Sequence, residues 1–85
     1  MTPSTLTQVQ LVYRAVALKL IREHGPNTDE FVVPAGDIVM SVSERCLIDA
    51  NEAARLVGLA TEKAIILDSW RTVVIGKEFT AVRLH

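Results

Sequence analysis

From Ala64 to Leu84 the chain reads AIILDSWRTVVIGKEFTAVRL, three short β-rich runs separated by Asp68-Ser69 and Gly76-Lys77. Two-residue connections of this kind suit tight hairpins, and Gly-X is the usual type II′ pattern. The runs therefore read as strands at 64–67, 70–75 and 79–84. Pairing through those turns sets Leu67 opposite Trp70, Val74 opposite Phe79 and Thr72 opposite Ala81. One face of the meander then carries Ile65, Leu67, Trp70, Thr72, Val74, Phe79 and Ala81. The other carries Ala64, Ile66, Val73, Ile75, Val82 and Leu84. A small antiparallel sheet normally leaves one face to water and alternates accordingly. This one is apolar on both, so association with something is expected, most simply with another copy.

Upstream, the period changes. Leu6, Val9, Val12, Tyr13, Val16, Ala17 and Leu20 fill one broad face of a helix capped by Thr5 or Thr7 and stopped by Gly25-Pro26-Asn27. Leu11 and Leu18 lie seven residues apart on its otherwise polar side, a second apolar stripe available to a partner. Glu30-Phe31-Val32-Val33 has strand chemistry, and Pro34-Ala35-Gly36 breaks it. Ile38, Met40 and Val42 alternate as a strand does, while Ser41-Val42-Ser43-Glu44 fits a capping box. A strand passing into a short helix at 42–48 satisfies both. Asp49-Ala50-Asn51-Glu52 is a second capping box, opening a helix that Gly58 closes. The expected fold is α+β: an N-terminal helix packed on a C-terminal three-stranded antiparallel meander, with a short strand and short helices between, all one domain over residues 1–85.

Composition narrows the class. At 85 residues, 49% hydrophobic and 22% charged, the chain is long enough for one thin core and too apolar for a disordered tail. One cysteine, Cys46, excludes an internal disulfide framework. MTPSTLTQ lacks the basic and apolar regions of a secretory signal, and the longest apolar runs are far too short to span a bilayer. A cytoplasmic protein with no membrane partner is expected. The net charge of −1 is unevenly placed: +3 over residues 1–22, −6 over 23–53 and +2 over 54–85. Nucleic-acid modules usually carry a basic excess that neutralises phosphates. The acidic middle argues against that partner.

No catalytic constellation emerges. Cys46 sits among apolar neighbours as buried cysteines do, and the serines are accounted for by caps and turns. His24 ends a helix and His85 ends the sequence, neither at metal-ligand spacing from another donor. The four glycines never cluster into a phosphate cradle. The sequence thus predicts no enzyme activity, no cofactor and no metal.

One segment carries a resemblance. Glu52-Ala53-Ala54, Leu56 and Gly58, within residues 47–65, resemble the first helix of the helix-turn-helix in the excisionase and MerR-type families. The resemblance implies a recognition helix over Thr61–Leu67, the meander as its wing, and DNA contacts from Asn51, Arg55, Lys63, Arg71 and Lys77. Half of that second helix, Ala64-Ile65-Ile66-Leu67, has strand chemistry instead. Three functions are therefore in view. The first is a non-enzymatic, oligomerising interaction or assembly module, of the accessory kind found among mobile-element proteins, whose interface draws on Leu11, Leu18, Trp70, Val73, Ile75, Val82 and Leu84. The second is a winged helix-turn-helix that binds DNA. The third is a small-molecule module with an apolar pocket lined by Trp70, Phe79 and Tyr13. Continuous strand at 64–67 favours assembly, and continuous helix at 60–67 favours DNA.

Overall fold

A computed structural model describes residues 4–85 and shows an α+β fold of three helices over one face of a four-stranded antiparallel sheet. The elements run α1 (Ser4–His24), β1 (Glu30–Pro34), α2 (Gly36–Cys46), α3 (Ala50–Ala60), β2 (Ile65–Leu67), β3 (Trp70–Ile75) and β4 (Glu78–Arg83). In space the strands order β1-β4-β3-β2. Both tight hairpins form in the expected register, with Leu67 opposite Trp70, Thr72 opposite Ala81 and Val74 opposite Phe79. Gly76 takes φ +61°, the left-handed value a glycine adopts without Cβ strain, and Asp68 takes φ 54° in the preceding turn.

Several local expectations change in the structure. The meander is not three-stranded in isolation: β1 pairs with β4, from Glu30 opposite Val82 to Pro34 opposite Glu78. Residues 37–42 are not a strand, because α2 runs unbroken from Gly36 to Cys46. There Ile38 and Val42, four residues apart, are fully buried while Met40 between them is exposed. Helical spacing therefore governs this stretch, and the apparent alternation is incidental. Ser41 consequently lies inside a helix and caps nothing. Thr5 and Thr7 likewise fall within α1, which starts at Ser4. The second capping box does form at its first half: the Asp49 carboxylate accepts a hydrogen bond from the Glu52 amide at 2.8 Å. Gly58 sits inside α3, which ends at Ala60 with Thr61 as its C-cap.

Alternation along the strands sends one set of side chains into the helical layer. Leu67, Trp70, Val74, Phe79 and Ala81 join Val9, Tyr13, Ala17, Ile38, Val42, Ala53 and Val57 in a single core. Trp70 is buried in it between a ring and a cation. Phe31 meets it edge-on at 5.5 Å between centroids, and the Arg83 guanidinium lies 4.3 Å from the ring centroid. Gly25 lies beneath the indole so closely that a Cβ would come within 2.8 Å of it and 2.6 Å of the Ile21 carbonyl. Arg83 also donates to the carbonyls of Gly25 (2.9 Å) and Thr28 (3.2 Å), tying the α1–β1 loop to β4. Two buried threonines carry polar links through the core: Thr61 accepts from the Val74 amide at 3.2 Å and donates to the Val57 carbonyl at 3.0 Å, and Thr72 meets Tyr13. The Tyr13 hydroxyl donates to Thr72 Oγ1 at 2.6 Å, and Thr72 donates in turn to the Ile65 carbonyl at 2.8 Å. Every buried side-chain polar atom among the described residues has a partner.

Two outcomes follow from this packing. Trp70→Ala should cost about 3–5 kcal/mol, most of the stability of a domain this size, as read from denaturant unfolding. Burial pushes the Tyr13 phenol from 10.0 up to about 12, outweighing the opposing effect of the Thr72 bond. The folded state then holds this proton more tightly than the unfolded chain. Its contribution is complete below pH 10 and is lost as pH rises towards 12, a decline of about 2–3 kcal/mol. Unfolding of the protein and of Tyr13→Phe, compared across that interval, should show the extra decline only with tyrosine present.

Candidate interaction surface

The alternate side chains of the same strands face away from the helices. Cross-strand register arranges them in three rows. The first runs Glu30, Val82, Arg71, Ile66; the second Val32, Thr80, Val73; the third Pro34, Glu78, Ile75. Leu84 continues β4 beyond the first row. Among these Ile75 is 69% exposed, Val32 54%, Ile66 52%, Leu84 44% and Val82 39%, with Val73 and Thr80 half-buried. Val73, Ile75, Thr80 and Val82 line a shallow groove of about 480 Å³ with Glu62, Lys63, Ala64 and Arg71 on its flank. No described residue outside the sheet and its connecting turns lines this groove. At their fractional exposures the five large apolar residues offer roughly 450 Å² of accessible surface, within the range of the largest patch on a typical monomer, with Arg71 set between Val82 and Ile66.

The structure brings Val73, Ile75, Val82 and Leu84 together on this face, and adds Ile66 and Val32. Val32 could not be placed from sequence, since its strand chemistry says nothing about which edge β1 joins. Trp70 is not part of the surface. Its position in β3 has the inward parity, and at 3% exposure it belongs to the core. Leu11 is 61% exposed on α1 and Leu18 is half-buried against the core. Both belong to the helical layer, on the opposite side of the sheet, so the helix stripe and the sheet face are separate features.

The helix-turn-helix implied over 47–65 also takes a different form. Residues 65–67 are strand β2, so the recognition helix placed at Thr61–Leu67 does not exist. The helix before that segment, α2, is joined to α3 by Leu47-Ile48-Asp49. Leu47 ends α2 in the left-handed conformation (φ 56°, ψ 47°), while the Ser43 hydroxyl donates to the Ile48 carbonyl at 2.6 Å. The β3–β4 hairpin follows in the place of a wing, its tip fixed by a bond from the Ala35 amide to the Lys77 carbonyl at 2.9 Å. Asn51 and Arg55 are exposed on α3. Arg55 is engaged by Glu52, the two carboxylate oxygens accepting from Nε and from Nη2 (3.0 Å), which holds that carboxyl below its ordinary range. Lys63 lies in the turn before β2, Lys77 at the hairpin tip, and Arg71 on the outer sheet face. From Gly36 to Lys63 five acids (Asp37, Glu44, Asp49, Glu52, Glu62) face three bases (Arg45, Arg55, Lys63).

Other chemistry does not assemble. Trp70 and Phe79 fill the core, and Tyr13, itself buried, lines with Gln10, Arg14, Ala60 and Ile65 a groove of about 220 Å³, below the ordinary range for small-molecule sites. Cys46 is half-buried, and His24 stacks on Phe31 at 5.4 Å. Among the described residues no group of three potential metal ligands converges, and no helix is long and apolar enough to cross a membrane. No protein-family model, curated protein or solved structure matches the chain.

Because Ile75 and Val82 contact no covering element, Ile75→Lys and Val82→Lys should each change unfolding free energy by less than about 1 kcal/mol at low protein concentration. A loss of several kcal/mol in dilute solution would mean that this face is packed within the single chain.

Proposed function

We propose that this protein is a non-enzymatic assembly module that binds a protein partner through the outer face of its sheet. The observation that carries the reading is the set of exposed apolar residues Val32, Ile66, Ile75, Val82 and Leu84 on the sheet face opposite the helices. Burying such a patch releases water from apolar surface at about 25 cal/mol per Å², a driving force of several kcal/mol before association costs. The rim is charged, with Glu30 and Glu78 towards β1 and Arg71 towards β2. An apolar centre within a polar rim is the ordinary anatomy of a protein–protein surface.

A second reading rests on α2, the three-residue turn and α3, followed by a hairpin: the order of a helix-turn-helix with a wing. Asn51 and Arg55 stand where the reading helix would present side chains to base edges, and both residue types pair with bases. Electrostatics oppose it. Phosphate attraction supplies most non-specific affinity, and this helix pair carries more acids than bases, with Arg55 already engaged by Glu52.

Titrating a labelled 20-base-pair duplex separates the two. The assembly reading expects no saturable binding below about 10 µM at physiological salt. Submicromolar binding that weakens steeply with salt and is lost in Arg55→Ala would overturn it in favour of the helix-turn-helix.

A further inference from the structure

We propose that the occupant of the outer sheet face is a second copy of this chain, packed face to face about a two-fold axis that runs along the strands between β3 and β4. This rests on the reading of that face as an association surface and adds its partner and geometry.

The argument begins with how charge is distributed across the face. Its acids, Glu30 on β1 and Glu78 on β4, occupy one half; its base within the sheet, Arg71 on β3, occupies the other. Lys63 flanks that second half from the turn before β2, with Glu62 beside it at the rim. A two-fold axis between β4 and β3 exchanges the halves. The β3 strand of the partner then lies over β4, and its β2 over β1. In this arrangement the partner's Arg71 comes above Val82, one strand from Glu30. Strands stand about 4.8 Å apart and packed sheets about 10 Å apart, spacings that a glutamate and an arginine bridge from opposite sheets. The partner's Lys63 is brought towards the Glu78 end. At the axis, Val73 and Thr80 of each copy meet Thr80 and Val73 of the other. An unrelated partner has no reason to match this antisymmetric pattern, whereas a two-fold generates the match from one sequence.

Size agrees. Three strands of five or six residues and one of three make a face of at most about 19 Å by 20 Å. Covering it buries roughly 600 Å² on each copy, or about 1,200 Å² in total, the lower bound for a specific, stable interface. That area, with two charge pairs at its rim and no aromatic anchor, corresponds to a dimer that dissociates in the micromolar range rather than an obligate one. The sheets align at the roughly −30° set by their twist, giving four layers in the order helices, sheet, sheet, helices.

Sedimentation velocity from about 1 to 500 µM tests the proposal on four proteins: wild type, Ile75→Lys, Arg71→Glu, and Glu30→Arg with Arg71→Glu. Circular dichroism confirms that each is folded. Wild type should pass from monomer to dimer across the series. Ile75→Lys should raise Kd at least about tenfold, equivalent to 1.4 kcal/mol. Arg71→Glu should raise it several-fold, and the double exchange should return it to within about twofold of wild type, since it reverses the pair. A monomer at every concentration, or a dimer indifferent to Ile75→Lys, would overturn the second copy as occupant. A double exchange no better than Arg71→Glu alone would overturn the two-fold described. An apolar dye, 8-anilinonaphthalene-1-sulfonate, distinguishes this failure from that of the broader reading. If a monomeric wild type binds the dye and Ile75→Lys does not, the face is an open association surface for a foreign chain. If neither binds it, the assembly reading fails as well.

Discussion

The helical layer covers one face of the sheet, and that constraint organises the rest of the molecule. Antiparallel strands alternate, so committing Trp70, Thr72 and Val74 to the core commits Arg71, Val73 and Ile75 to the other side. Three helices totalling 43 of 85 residues are all spent on the inner face, with α1, α2 and α3 in mutual contact above it. The polar bond from Tyr13 to Thr72 and the Arg83–Trp70 stack hold neighbouring inner-face pairs of β3 and β4 in register. A one-residue slip of β3 against β4 would bury Arg71 and expose Trp70. The register is therefore strongly determined, and with it the apolar character of the outer face.

Much of this was legible along the chain, and the unread parts share a physical cause. Period-two alternation and two tight turns define β2, β3 and β4 down to their register, since hairpin geometry is local. The Asp49 cap is local too, and it forms. By contrast, residues 38–42 satisfy both a two-residue and a four-residue period, and only packing of Ile38 and Val42 against the other helices decides for α2. The pairing of β1 with β4 joins segments nearly fifty residues apart, and no local pattern specifies it. For that reason Val32 was missing from the anticipated surface; Trp70, named with that interface, has the inward parity and lies in the core. Strand parity places a side chain on a face, but which face the helices cover is a tertiary fact.

The same distinction governs the helix-turn-helix. Residues resembling the first helix of that motif, Glu52-Ala53-Ala54 with Leu56 and Gly58, lie on α3, and the recognition helix implied after it is absent because the β-branched and aliphatic residues at 65–67 join the sheet. A scaffold of this order supports more than one function, so the surface chemistry has to decide. On α3 the exposed side is short of positive charge, and its one arginine is held by a glutamate. On the sheet the exposed side is largely apolar, with charge towards its margins. The energetic weight lies with the sheet.

Small-angle scattering tests the central claim most directly, because it reads the shape of the association as well as its occurrence. A single copy has a Cα radius of gyration of 12.2 Å. Two copies stacked through their outer sheet faces place their centres roughly 20 Å apart, which raises the radius of gyration to about 16 Å. The account predicts a rise from the smaller to the larger value with concentration, reversed by Ile75→Lys. A radius that stays near that of one copy at millimolar concentration would contradict it.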